Sequence, residues 1–201
     1  MSARFPSLPT ESLSASGWRE RERRAHTAFD AAVVTVEAAT VVFEDVELRE
    51  RIREATDLDR PWRFFVASRL ALSPSTPTSD SLTRLVADRA HAGFAETLAE
   101  RGFEGVRRAE GATGPGAVLG LGDDARIAGY EALCRLDGVG VRARGCAAVV
   151  PVDRAYLLVG GAYPTAVREA PDAETESAIA AALDPERFRE ELFDLMGATG
   201  G

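Results

Sequence analysis

Hydrophobic and polar positions alternate most cleanly between Trp62 and Leu72. The even positions carry Trp62, Phe64, Val66, Ser68, Leu70 and Leu72, and the odd ones Arg63, Phe65, Ala67, Arg69 and Ala71. Successive side chains of a strand point to opposite faces, so this stretch predicts a strand whose even face meets the core. The Ser/Thr/Pro run at 73–78 ends it and hands over to a helix. Ser79 is a good N-cap, with Asp80 in the first turn, where a carboxylate complements the helix dipole. Leu82, Leu85, Val86, Ala90, Phe94 and Leu98 form the expected buried stripe. Gly102 suits the position after the helix, and Phe103 can then reach back to Leu98. A helix over 79–101, about 22 residues, is roughly 33 Å long and would lie across a whole sheet.

The flanking pattern completes an α+β layout. Charges alternate from Trp18 to Arg24, which fits either an exposed edge-like strand or a solvated helix. Val33–Val36 and Thr40–Phe43 are β-branched and strand-like, so residues 18–43 read as two antiparallel strands. A helical pattern follows over 44–56, with Leu48, Ile52 and Ala55 on one face. After the long helix come a short strand at 105–109 and a Gly-rich loop at 111–116. Then a meander is expected near 118–121, 125–136, 139–152 and 155–163. Asp137-Gly138 is a strong two-residue hairpin signal, and Asp153-Arg154 closes the next hairpin. Pro164 and Pro171 are expected to end the sheet. Helices follow over 173–183 and 185–196, the second capped by Asp184 with Pro185 at its first position. The picture is a single α+β domain over 17–196, an antiparallel sheet covered by helices. Residues 1–16 read as a disordered leader and 197–201 as a flexible tail.

Composition narrows the chemistry. All 24 basic residues are Arg, and Lys, Asn and Gln are absent. That excludes Schiff-base and phosphate-loop lysines, and neutral carboxamides in an oxyanion hole. The net charge of −8, from 32 acidic residues, argues against nucleic acid and anionic membrane surfaces. Such acidity without Lys fits a salt-loving archaeal protein, or GC-rich coding of an ordinary acidic one. No apolar run is long enough to span a bilayer, and no signal peptide is evident, so a soluble cytoplasmic protein is expected.

Few constellations carry chemistry. A two-residue turn at Asp137-Gly138 places Cys134 opposite Val141 and Cys146 opposite Gly129, on opposite sheet faces, which disfavours a disulfide. His26 and His91 are isolated in sequence and read as surface or boundary residues. Gly120-Leu121-Gly122-Asp123-Asp124-Ala125 matches a dinucleotide fingerprint only formally. Strand-like residues follow it, and two aspartates would repel a pyrophosphate. Asp57/Asp59, Asp123/Asp124 and Glu190/Glu191 read as solvated acids. No catalytic residue, metal or cofactor is assigned. Arg101, Arg107 and Arg108, with Arg142 and Arg144 in the meander, would form an anion- or partner-binding patch if strand 105–109 neighbours the meander.

The stretches 62–72, 79–101, 125–136, 139–152 and 155–164, the last reading Ala-Tyr-Leu-Leu-Val-Gly-Gly-Ala-Tyr-Pro, give a layout that resembles the PsbP-like α/β/α sandwich. It is similar in particular to uncharacterised haloarchaeal proteins of that type. The resemblance implies a binding or accessory module that is not a catalyst. A second reading is a helix-grip-like protein whose apolar pocket lies between helix and sheet, lined by Trp62, Phe64, Phe94 and Tyr130. A third is a hydrolase pairing His26 or His91 with a carboxylate about 3 Å away.

Overall fold

The computed structural model describes residues 4–31, 34–109 and 120–200. In chain order the elements are α1 (Thr10–Ala15), β1 (Trp18–Ala31), β2 (Val34–Asp45), α2 (Val46–Thr56), β3 (Phe64–Ser73), α3 (Asp80–Glu100) and β4 (Phe103–Ala109). After them come β5 (Arg126–Leu136), β6 (Val139–Val152), β7 (Ala155–Glu169), α4 (Ala173–Ala182) and α5 (Pro185–Ala198). The seven strands form one sheet in the order β1-β2-β3-β7-β6-β5-β4, and every neighbouring pair is antiparallel. The α+β class with an antiparallel sheet and covering helices is therefore the observed architecture.

Helices cover both faces. On one, α3 packs over Val36, Leu70, Leu72 and Tyr156 through Val86 and Ala87, and over Phe64, Val66 and Tyr130 through Phe94 and Leu98. On the other, Leu48 and Ile52 of α2, Ile179 of α4 and Phe188, Leu192 and Met196 of α5 close over Val41, Phe65, Ala67, Leu157 and Val159. Both faces of β3 are consequently buried, and the odd positions Phe65 and Ala67 are as inaccessible as the even ones. A strand covered on both sides needs apolar residues at successive positions, and Phe64-Phe65-Val66-Ala67 supplies them.

The local signals act as their chemistry dictates. Ser79 Oγ accepts from the Leu82 amide, and Asp45, Asp172 and Asp184 cap α2, α4 and α5 in the same way. Asp137 and Gly138 both take positive φ, and the β5–β6 register sets Cys134 opposite Val141 and Cys146 opposite Gly129.

Several expectations are corrected. The first sixteen residues are not a free leader over the part described: Leu13 is buried in the α2/α5 core and Ser7 bridges to Gly200. The same bridge holds the C-terminal tail, where the Thr199 hydroxyl bonds the Leu195 carbonyl. Pro164 does not end the sheet. It stands opposite Ala143 beside a register shift, where a missing N–H is tolerated, and β7 continues to Glu169. The expected strand at 118–121 falls partly outside the described residues, and Gly120 and Leu121 lie in a turn. The Gly-rich loop at 111–116 also lies outside them. In the α3 stripe, Leu85 is 39 % exposed while His91 is buried.

Candidate functional site

The helix–sheet layer that holds α3 is asymmetric. α3 leans on β4, β5 and β6, and the β1–β3 half of that face is covered less closely. The facing positions there are small: Ala38 and Thr40 of β2, Ser68 of β3, and Ala90 and Gly93 of α3. A Cβ on Gly93 would meet no atom within 4 Å. The result is a cavity of about 180 Å³ between α3 and β1–β3, closed at one end by Phe64 and Phe94. Its floor carries one polar pair, Thr40 Oγ1 and Ser68 Oγ, 2.8 Å apart and satisfied by each other. Arg24, His26, Arg89 and Arg101 contribute to its lining, and no Asp or Glu among the described residues does.

A second cavity of about 190 Å³ lies beyond Phe64, where the segment leading into β3 meets the end of α3 and the β5–β6 hairpin. Phe64 and Arg101 line both spaces. The Arg101 guanidinium carbon lies 5.2 Å from the Phe64 ring centroid, a cation–π stack at the partition. Its one ion pair among the described residues, to Glu22, is long at 3.8 Å.

The four aromatic residues expected to line one pocket are divided. Phe64 and Phe94 line the helix–sheet cavity, and Trp62 joins Phe64 in the second. Tyr130 lines neither. It packs against Phe94 with ring centroids 5.2 Å apart and is tied to His91. His91, read from sequence as a surface or boundary residue, is instead part of the α3–β5 junction. Its Nε2 lies 3.1 Å from the Arg126 carbonyl and its Nδ1 3.1 Å from the Tyr130 hydroxyl. Because a carbonyl only accepts, Nε2 carries the proton, and the single Tyr130 hydroxyl hydrogen is shared between Nδ1 and the His91 carbonyl oxygen 3.2 Å away. Burial lowers the His91 pKa and pushes the Tyr130 hydroxyl up to about 12, so both stay neutral near pH 7. His26 is exposed on β1, and burial of part of its ring lowers its pKa as well. No His–carboxylate ion pair occurs among the described residues.

The arginine patch is also split. β4 does pair with β5, but adjacent strand residues point to opposite faces, so Arg107 and Arg108 part company. Arg107 donates to Glu131 at 2.7 Å, and Arg144 reaches the same carboxylate at 3.4 Å. Arg107 and Arg142 share a shallow groove with Glu104 and Glu131, which offsets their charge. Arg108 lies opposite Tyr130 on the α3 side, and Arg101 sits at the end of α3 between the two cavities.

Glu191, taken as a solvated acid, is structural. It accepts from Trp18 Nε1 at 2.8 Å and from the buried Arg63 at 2.9 Å, and Arg63 also lies 3.3 Å from Asp45. Arg63 occupies an odd position read from sequence as facing away from the core. The helix that buries it arrives 128 residues later in the chain. Cys134 is half-buried beside the second cavity, and Cys146 is buried with its thiol pushed up to about 12. Arg60 and Gly93 were missed as cavity residues. A Gly inside a strongly periodic helical stretch was the signal available for the second.

The described residues hold no cluster of three or more His, Cys, Asp or Glu placed to bind a metal ion. No helix among them is long and apolar enough to cross a membrane. Fold and site together define an α+β protein with a helix-covered antiparallel sheet and paired, arginine-flanked apolar cavities. The chain belongs to the family described as a domain of unknown function, DUF6517, which matches residues 5–200. No curated protein and no solved structure matches it.

Proposed function

We propose that this protein is a binding module without catalytic activity, and that the cavity between α3 and β1–β3 takes a small, mainly apolar ligand. The observation that carries this reading is the run of small residues facing one another across the cavity. Ala38, Thr40 and Ser68 oppose Ala90 and Gly93, and Phe64 and Phe94 close the end. Interiors pack to high density, so space kept open by four small side chains and a glycine is a feature of the sequence. At about 180 Å³ the cavity falls below the roughly 300–1,000 Å³ of drug-sized ligand sites, so the ligand is small. A binding role is further supported by His91, whose two ring nitrogens are both engaged in holding α3 to β5. Helices on both faces of an antiparallel sheet are consistent with a PsbP-like arrangement. We also read the protein as cytoplasmic, and its acidic composition as adaptation to salt in a halophilic archaeon. Stability that rises in molar KCl supports the salt reading, and a flat response removes it.

The test is native mass spectrometry of the purified protein, followed by thermal unfolding against a panel of small apolar compounds. Gly93→Leu places a side chain in the cavity, starting from a Cβ that stands in open space. Compounds that raise Tm in the wild type are expected to lose their effect in this variant. Equal responses in the two proteins overturn the assignment.

A further inference from the structure

The second cavity has chemistry of its own. Three features set it apart from the helix–sheet cavity. Its cationic residues are not rim groups alone: Arg60, in the segment between α2 and β3, is only 5 % exposed, and its guanidinium carbon lies 4.2 Å from the Trp62 ring centroid. Trp62 is buried, and its indole Nε1 has no hydrogen-bond partner among the described residues. Finally, no Asp or Glu lines the cavity among the described residues, in a chain with 32 of them. Arg63 also reaches the wall but is already paired with Asp45 and Glu191, and the rest is Cys134 and apolar groups from Phe64, Phe103, Val141, Ala143 and Pro164.

Each feature asks for the same kind of group. A buried N–H without an acceptor is costly, because folding strips away its water and returns nothing. Burial of the Arg60 guanidinium is the main influence on that group and works against its charge. An acceptor would answer the Trp62 N–H, and a carboxylate also matches the planar fork of the arginines that line the same wall. Arg101, stacked on Phe64 at the opposite wall, adds a second guanidinium with only a long ion pair of its own. Aromatic and proline walls suit a flat ring. A doubly charged phosphate fits less well, since more of its hydration would be lost in a space so largely apolar.

We propose that the cavity beside Trp62 binds a small aromatic monocarboxylate, with its ring on the Trp62–Phe103–Pro164 wall and its carboxylate met by Arg60, Arg101 and the Trp62 N–H. This goes beyond the helix–sheet cavity and does not depend on it.

Benzoate is the probe, with benzamide as its neutral counterpart and inorganic phosphate as a plain anion, all at constant ionic strength. Thermal unfolding and calorimetry are expected to give saturable benzoate binding, with benzamide at least tenfold weaker and phosphate without effect. Trp62→Phe keeps an aromatic wall but removes the N–H. It is expected to weaken benzoate about fivefold while leaving benzamide unchanged. Because Cys134 lines the cavity, benzoate should also slow alkylation of that thiol in the unaltered protein. Ala143→Leu, confirmed folded by circular dichroism, should abolish binding, whereas Gly93→Leu should leave it intact. Benzamide binding as well as benzoate, phosphate competing on equal terms, or no benzoate binding at all overturns the proposal. Benzoate lost in Gly93→Leu but kept in Ala143→Leu also overturns it, and leaves the helix–sheet cavity as the ligand site.

Discussion

Arg63 and Glu191 meet at 2.9 Å between the start of β3 and α5, with the guanidinium almost wholly buried. The same guanidinium lies between two aromatic rings, 4.6 Å from the Trp18 centroid and 4.5 Å from that of Phe188. Trp18 Nε1 donates to the other oxygen of Glu191. One carboxylate thus fastens β1 and β3 to the C-terminal helix. Removing one partner of a buried pair leaves a charge without water or counter-ion. Glu191→Ala is expected to destabilise the fold by about 3 kcal/mol, the lower end of the range for such losses, because Asp45 stays 3.3 Å from Arg63. Urea unfolding checks this, and a loss below about 0.5 kcal/mol, the usual scale of surface changes, would show the pair to be incidental.

Asp45 behaves differently. Burial pushes its carboxyl above the ordinary value of 3.8, against the opposing pull of the Leu48 amide and Arg63. The folded state therefore holds this proton more tightly than the unfolded state. Its contribution to stability falls as pH rises from the ordinary value through the raised one, and is constant above. Asp45→Asn keeps an acceptor for the Leu48 amide and is expected to remove that acid-range slope. Unfolding curves between pH 3 and 6, wild type against variant, measure it.

His91 gives the opposite dependence. Its folded pKa lies below the ordinary 6.5, chiefly through burial. The unfolded chain takes up the proton first, so this share of stability is complete above about pH 6.5 and declines as pH falls below it. His26 shifts in the same direction from a more exposed position. His91→Leu is expected to flatten the pH 5–7 region of a Tm profile more than His26→Ala does.

Two glycines in β7 should tolerate no side chain. A Cβ on Gly160 would lie 2.5 Å from the Cys146 carbonyl oxygen, and one on Gly161 would collide with the Phe64 carbonyl oxygen. Either change to Ala forces strands apart and is expected to cost roughly 1–3 kcal/mol or more, as overpacking does. Gly93→Ala, with open space around the new Cβ, should instead stabilise by up to about 1 kcal/mol, the helix-propensity difference. Denaturant midpoints of the three variants test the contrast.

The two thiols are expected to stay reduced and to react at different rates. Cys146 is buried with its thiol pushed up to about 12, while Cys134 is half-buried. The thiolate is the reacting species, so maleimide near neutral pH should modify Cys134 first. Equal rates in the folded protein, or an intramolecular disulfide after mild oxidation, would contradict the register that separates them.

Much of the fold was legible because its signals are local. Ser79 and Asp184 cap helices through their own side chains, and Asp137-Gly138 sets a register that carries Cys134 and Cys146 to their observed partners. The α+β class follows from such elements in order. What misled was anything that depends on which layer covers which face. Phe65 and Arg63 read as an outer face because nothing near them in sequence announces α5. His91 read as a boundary residue because its partners, Tyr130 and the Arg126 carbonyl, lie on β5.

The candidate sites divide along the same line. The sequence by itself determined that every cation is Arg, that Lys, Asn and Gln side chains are absent, and that Ser79 and Asp184 start helices and Asp137-Gly138 a hairpin. Those properties belong to single residues or to neighbours a few positions apart. The tertiary structure decided that Arg107 and Arg108 part to opposite faces, that Tyr130 leaves the pocket for His91, and that Arg60 and Trp62 line a cavity with no carboxylate among its described residues. These depend on strand order, on the register of β4 against β5 and on the lean of α3 across the sheet. Such relations join residues 20 to 130 positions apart, and only packing fixes them.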